Sequence, residues 1–411
     1  MIKIAMLSTG EEVLHGDIVD TNAAWLSRLF FEQGFSLHKR ATVGDGLAVL
    51  TEELMMLSFN CDVVIVNGGL GPTSDDLSAE AAGKAADQPL VLFDAWLTRM
   101  TEFFLQRGIA MPESNKKQAM LPENSTIIDN PVGTACGFQM TINDCLFYFT
   151  PGVPSEFFLM VESQILPDLK LRYPDTQGQS CNKLYTLGMS EAGLSEILSK
   201  IHLPEGYQLG YRSYMPYIEV KLFSSQQDTL NRGKVQKVVY DNIKQWVVSI
   251  DASMLSHIGD LLDEKQMTIA VSEQATQGWL THWLQSDDKV NQSCGHCWVL
   301  SNDMVVGEDG QDELAATFAL AGATRDKCSS DIALVTGKLT DKYFTLVLSA
   351  KEGEWGQSLA FRRTLSKEDQ KSLIGTIAGD MLRRYLSNQS PFSQYLSLET
   401  GKQMHIPASM L

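Results

Sequence analysis

Residues 66–76 read VNGGLGPTSDD: an apolar run feeds three glycines, a proline and two adjacent aspartates. Glycine lacks Cβ, so the backbone there can turn sharply and come close to a ligand. Asp75 and Asp76 could hold a divalent cation, which would neutralise phosphate oxygens. A helix opening at 76–80 would add N–H groups and a positive dipole end. Together these features suit hydrolysis of a phosphoryl or pyrophosphoryl group. The same residues also suit a plain helix cap, with Ser74 or Asp75 in that role. On this stretch alone the two readings stand level.

Other stretches repeat the pattern. Ser8-Thr9-Gly10-Glu11-Glu12 is again a glycine followed by carboxylates, and Asp17, Asp20, Thr21 and Asn22 follow it. Asp20 or Thr21 would be the cap in the bland reading. Asn115, Lys117 and Gln118 form a polar cluster with one cation suited to phosphate, although a solvated surface lysine is the commoner fate. Pro151-Gly152-Val153-Pro154-Ser155-Glu156 is a further turn, with Ser155 as its possible cap.

These stretches need elements to bring them together. Residues 2–7 and 62–67 read as short buried strands, 35–43 and 145–150 as further strands, and 21–33 and 47–59 as amphipathic helices. Alternating strand and helix implies a doubly wound α/β sheet. Such sheets bind ligands at the carboxyl ends of their strands. The turns at 8–10, 68–76 and 151–154 all fall at such ends. After a polar linker at 173–182 the pattern becomes a small α+β unit: a strand at 184–187, a helix at 191–201, strands at 207–212 and 217–223, and a helix at 230–247. From 266 onward a third region reads as a strand (268–271), a helix (276–284) and a later strand (331–336).

The chain has 411 residues, 44% hydrophobic and 20% charged, so it is globular with two or three domains expected. Its net charge of −17 argues against a nucleic-acid surface. It does not exclude an anionic small molecule, because a metal can reverse the local field. The first residues do not read as a signal peptide. No run approaches the ~20 apolar residues of a membrane span. Seven cysteines, an odd number, fit free thiols in a reducing cytoplasm, the expected location.

GEEVLHGDIVDTN (10–22), GGLGPTSDD (68–76), NKKQAMLP (115–122), NPVGTACGF (130–138) and PGVPSE (151–156) resemble the signature blocks of the CinA family, in its order and spacing. Cys136 stands where that family usually has proline. The resemblance implies a molybdopterin-binding-like domain over 1–172, a small connecting α+β domain over 183–250, and a C-terminal α/β domain over 258–411. For the first domain it implies hydrolysis of ADP-ribose to AMP and ribose 5-phosphate with a divalent metal (Mg2+, Co2+ or similar) and K+. By matching positions, Asp75, Asp76, Glu12 and Glu156 would be catalytic. Thr9, Gly10, Asn22, Gly69, Gly71, Thr73, Asn115, Lys117 and Gly152 would contact the nucleotide, and Asp76, Asp75 and Asp17 the metal. A homodimer is expected, without nucleic-acid or membrane partners. The alternative is a module that holds a pterin or nucleotide without turnover, or a scaffold.

The resemblance also implies a C-terminal nicotinamide mononucleotide deamidase with a nucleophilic serine and a lysine. Glu273, Thr276, Gly278, Ser301-Asn302 and Thr336-Gly337 keep its frame. Gln274 stands in the place of the serine and Val305 in that of the lysine. Gln has no hydroxyl to form an acyl intermediate, so deamidase activity is expected to be absent. Cys294-Gly295-His296-Cys297 could ligate zinc or cycle as a dithiol, but it has no second ligand pair at zinc-finger spacing and leads into a strand-like stretch, so it reads as structural or incidental.

Overall fold

The computed structural model describes residues 2–301 and 312–410. The chain divides into two compact units, Met1–Gln179 with Ser225–Gln227, and Ser180–Ser224 with Asp228–Leu411. The first unit runs β1 (Ile4–Thr9), α1 (Glu11–Leu14), α2 (Thr21–Glu32), β2 (Leu37–Val43), α3 (Leu47–Asn60), β3 (Val63–Asn67), α4 (Ser78–Ala85), β4 (Leu90–Leu92), α5 (Asp94–Gln106), β5 (Met120–Pro122), β6 (Thr126–Ile128), β7 (Gly137–Ile142), β8 (Cys145–Thr150), α6 (Pro154–Met160) and α7 (Leu166–Arg172).

Its main sheet has the order β2-β1-β3-β8-β7-β6. β1, β2, β3 and β8 are parallel, and β7 and β6 add on antiparallel. Every residue of β1 and β3 is buried, because helices cover both faces. Alternation along the strands divides the core in two. Ala5, Leu7, Val64 and Val66 pack with Leu50, Leu54 and Leu57 of α3 and Ala81 and Ala82 of α4. Ile4, Met6, Val63 and Ile65 pack with Ala23, Leu26 and Phe30 of α2 and with Phe157 and Met160 of α6. Each Val, Leu, Ile, Met or Phe among these contributes roughly 1.5–3 kcal/mol on burial, and the alanines less. The connection from β1 goes outward to β2 and then returns to β3 on the other side of β1. The carboxyl ends of β1 and β3 therefore form a topological switch point, where an open α/β sheet presents a crevice.

Local details depart from the sequence reading. The helix expected at 76–80 begins at Ser78, with Leu77 at its N-cap and no side-chain cap bond. Neither Ser74 nor Asp75 is a cap. Ser155 is not one either: α6 starts at Pro154 behind Val153, without a side-chain cap. Asp20 does cap α2, accepting from Ala23 N at 2.8 Å. The short helix α1 was not expected.

The second unit holds two sheets. Strands β9 (Gln179–Thr186), β10 (Gln208–Tyr214), β11 (Tyr217–Ser225) and β12 (Val247–Ile250), with helices α8 (Glu191–Leu198) and α9 (Thr229–Ile243), form the smaller one, ordered β10-β11-β9-β12. The helix expected to reach residue 247 stops at Ile243, and Val247 onward forms β12 instead. The larger sheet, β14-β13-β15-β16-β17-β18, is built from β13 (Ile269–Glu273), β14 (Cys294–Val299), β15 (Ile332–Thr336), β16 (Tyr343–Ala350), β17 (Gly353–Phe361) and β18 (Leu398–Pro407). Helices α10 (Met254–Lys265), α11 (Trp279–Gln285), α12 (Asp288–Ser293), α13 (Glu313–Cys328) and α14 (Lys367–Leu386) accompany it. The smaller sheet keeps a core around Leu184, Leu194, Val220 and Val239. Leu187 and Val248 join the core of the larger sheet, together with Ile258, Ile269 and Ile374. That shared packing makes the two sheets one compact unit.

Candidate functional site

A cavity of about 490 Å³ opens at the switch point of the first unit. Its walls are the loops after β1, β3 and β8 and the start of α2. Thr9, Gly10, Glu12, Asn22, Gly69, Gly71, Asp75, Asp76, Gly152 and Glu156 all line it, so most of the expected site residues converge.

A strut of amides joins three of these loops. Asn22 Nδ2 donates to Asn67 Oδ1 at 2.9 Å and to Gly152 O at 2.8 Å. Asn67 Nδ2 donates to Pro151 O at 2.7 Å and Thr150 Oγ1 at 3.3 Å. Asn22 Oδ1 and Thr9 Oγ1 are buried without a hydrogen-bond partner among the described residues. Both residues line the cavity, so both oxygens are acceptors that a bound hydroxyl or amino group could satisfy. Ser8 Oγ fixes Asp20 Oδ2 at 2.6 Å behind them.

The glycine loop is tight for a reason. Gly69 sits at φ +67°, and a Cβ there would strike Ser78 Oγ; one at Gly71 would strike the Asp76 carboxylate. Gly68 N–H donates to Thr150 O at 2.9 Å, whereas no hydrogen bond among the described residues engages the N–H groups of Gly69, Leu70 or Gly71. Asp76 Oδ2 accepts from both N–H and hydroxyl of Thr73. The Thr73 hydroxyl, then a local backbone N–H, hold the Asp75 carboxyl below its ordinary range. Glu156 is fixed by Asn130 Nδ2 at 2.7 Å, and Asn130 in turn holds the loop through Ala135 O and Gly133 N.

Four expected residues stand away from the wall. Thr73 supports Asp76 from behind. Lys117 Nζ donates to Thr73 O and so braces the loop, beside a smaller cavity that Gly69, Gly71 and Asp76 also line, and its charge helps lower the Asp75 carboxyl. Asn115 is buried and donates to Gln118 Oε1 at 2.9 Å; Gln118, which lines the cavity, bonds Leu70 O. Asp17 is exposed and outside the cavity lining.

The electrostatics of the cavity are one-sided. Glu12, Asp20, Asp45, Asp75, Asp76 and Glu156 line it, with no lysine or arginine among the described lining residues. Partial burial, then repulsion from Glu12, Asp75 and Glu11, push the Asp45 carboxyl up against a bond from Glu11 N–H. Asn67, Asn130 and Asp45 were missed in the sequence. Asn67 carries a signal in hindsight, as the one polar residue ending the apolar run of β3. Among the described residues no three His, Cys, Asp or Glu side chains converge as ready-made metal ligands. The donor set is nonetheless all oxygen, which fits a hard cation held by one or two carboxylates and completed by substrate phosphates.

In the second unit the frame residues also meet at strand ends. Glu273 is buried and accepts from the Thr276 hydroxyl, Leu280 N at 3.2 Å and Thr281 N at 3.0 Å. Gln274 is buried, and its Nε2 donates to Ser301 O at 3.1 Å while its backbone N–H donates to Thr336 O at 3.0 Å. Asn302 and Val305 lie outside the described residues.

Comparison with known proteins agrees with this architecture. The family described as a probable molybdopterin binding domain matches residues 5–171. A CinA-like protein of Escherichia coli O17:K52:H18 (strain UMN026 / ExPEC) is 40% identical over 412 residues, covering 100% of each chain. The NMN amidohydrolase-like protein YfaY of Escherichia coli (strain K12) is 39% identical over 414 residues, covering 98% of this chain and 99% of its own. A solved CinA structure from Thermoplasma acidophilum is 28% identical with a TM-score of 0.37, covering 40% of this chain and 95% of that one. Identity at this level along the full length decides the matter: the chain belongs to the CinA-like family, with a molybdopterin-binding-like domain at its N-terminus.

Proposed function

We propose that the first unit hydrolyses the diphosphate of ADP-ribose to AMP and ribose 5-phosphate. The observation that carries this reading is the cavity's combination of a glycine loop with unengaged N–H groups and carboxylates that no lysine or arginine of the lining balances. The loop suits a phosphate oxygen, but the carboxylates would repel the phosphate unless a cation came with it. Asp76 and Asp75, with Asp45 beside them, would hold a divalent ion such as Mg2+ or Co2+, which when bound neutralises phosphate oxygens and acidifies a water. The N–H groups of Gly69 to Gly71 stabilise charge developing on the phosphate. Asn22 Oδ1 and Thr9 Oγ1 accept from the nucleoside and orient it. Glu156, held by Asn130, accepts the proton of the attacking water; Glu12 lies at the open rim and is the less fixed candidate.

In the second unit, we read Gln274 as a replacement that removes the nucleophile, so no deamidation of nicotinamide mononucleotide is expected. The name of the amidohydrolase-like Escherichia coli relative makes that activity the one to test. The reading also places the chain in the cytoplasm as a homodimer. No helix among the described residues is long and apolar enough to cross a membrane. The deciding experiment is incubation of the full-length protein with ADP-ribose and Mg2+ or Co2+, following AMP. Tight binding of ADP-ribose without AMP would instead support a nucleotide-holding module, as the fold permits.

A further inference from the structure

Cys294 and Cys297 lie on β14, the edge strand of the larger sheet. Residues three apart on a regular strand face opposite sides. Here they do not, because the register breaks: Ile269 pairs with Cys294, but the next residue, Ala270, pairs with His296. The extra residue, Gly295, forms a bulge that turns both cysteines to one face. Cys294 sits in the core with Ile269, Leu284 and Val290, and Cys297 packs against the same cluster. Their sulfurs are 3.3 Å apart. Cys294 is buried and Cys297 is half-buried, next to the exposed His296. Helix α11 lies over the pair: Gln285 Nε2 reaches Cys297 Sγ at 3.9 Å.

We propose that Cys294 and Cys297 form a reversible dithiol–disulfide site that takes a small-thiol disulfide as its oxidant. The Cys297 thiolate attacks one sulfur of the oxidant RSSR; that S–S bond breaks and RS⁻ leaves. Cys294 then gives up its proton to the departing thiolate, and its sulfur attacks Cys297 Sγ, releasing the second RS⁻, which takes up from water the proton that Cys297 shed on ionising. The two cysteines are oxidised to one disulfide and RSSR is reduced to two RSH.

The two thiols differ as this sequence of steps requires. The neighbouring Cys294 thiol draws the Cys297 thiol down from its ordinary range. Hydrogen bonding to Cys297 and burial push Cys294 up. The other cysteines lack this asymmetry: burial raises Cys61, Cys136, Cys145, Cys181 and Cys328.

The test uses the full-length protein treated with oxidised glutathione, then alkylated and digested with trypsin. One tryptic peptide, from Val290 to Arg325, carries both cysteines and no others. The expected result is that this peptide loses the mass of two hydrogens and escapes alkylation, and that dithiothreitol reverses both changes. Cys294→Ser should trap glutathione on Cys297, whereas Cys297→Ser should leave Cys294 unmodified. Before oxidation, Cys297 should alkylate roughly tenfold faster than Cys328 at neutral pH, since thiolate fraction governs the rate. The proposal is overturned if the native protein keeps both cysteines alkylatable in excess oxidant, or if glutathione settles on Cys328 or Cys181 instead. Because the wild-type chain carries the first readout, misfolding of either variant cannot rescue the proposal from that result.

Discussion

The strand ends of the two units pose the same problem and answer it differently. In the first unit, β1 and β3 end beside each other in glycines and carboxylates, and the space between stays open. Two buried oxygens lack partners there, and Asp45 is repelled by its neighbours. In the second unit, β13 and β15 end beside each other too, but Glu273 accepts from three donors and Gln274 is fixed between Ser301 and Thr336. A strand end whose carboxylate and amide are bonded is a packing solution, although the neighbouring Thr281 hydroxyl finds no partner among the described residues. One with unsatisfied groups and like charges costs stability, and a ligand can return that cost on binding. This contrast supports the proposal that turnover belongs to the first unit.

The largest effect that could break this contrast comes from Asp76→Ala. Among the described residues the Asp76 side chain bonds only within its own loop, to Thr73, so the fold should persist with little change in Tm. Loss of a cation-holding carboxylate forfeits several kcal/mol of charge stabilisation, so kcat/KM for ADP-ribose should fall on the order of a thousandfold. AMP release at the wild-type rate would remove the pair from the site. Asn67→Ala comes next. It leaves Pro151 O and one donor of the strut unpaired in a buried position, which should cost about 2 kcal/mol by denaturant titration. It should also raise KM, because the loops after β3 and β8 lose their tie.

Asn67 shows where the sequence was legible and where it stopped. The central strands were clear, because a parallel sheet covered on both faces demands unbroken apolar runs such as VVIV. The strand-end loops were clear for a related reason: glycines and paired aspartates are types that a backbone or a ligand must require. What the loops bond to was not written locally. Asn67, Asn22 and Pro151 are far apart in the chain, and only the sheet order brings them together. The chemistry of Lys117 and Asn115 suits phosphate, but side-chain direction is set by packing, and here Lys117 bonds Thr73 O and Asn115 bonds Gln118, contacts that residue type alone does not announce. The bulge at Gly295 was equally hidden, since nothing in C-G-H-C announces a register shift against β13.

A smaller effect tests the satisfied end. Gln274→Ser removes a buried amide and its bond to Ser301, so stability should fall by about 1–2 kcal/mol. It should yield no ammonia from nicotinamide mononucleotide, because the sequence has Val305 where the resemblance would place the activating lysine. Ammonia release by the wild-type chain would break the contrast from the other side. It would show that the second unit is an active deamidase by a route other than a serine.

The smallest effect concerns Asp45, and its sign separates repulsion from simple packing. The Asp45 carboxyl is raised in the folded state by burial and by the carboxylates around it. Ionisation is therefore less favourable in the folded chain than in the unfolded one, and stability is lost as pH rises through this range. The deficit is fully present above the folded value and absent below the unfolded one. Asp45→Asn removes it, so the variant should melt higher than the wild type at neutral pH, and the gain should fade in acid once both states are protonated. Mg2+ should raise the wild-type Tm as well, and by less in the variant, because the ion relieves the same repulsion that the substitution has already removed. An equal gain at every pH would mean that the amide simply packs better than the carboxylate and that the acidic cavity is not under charge strain. A Tm in both proteins that Mg2+ leaves unmoved would mean that the carboxylates at the open end do not share a cation.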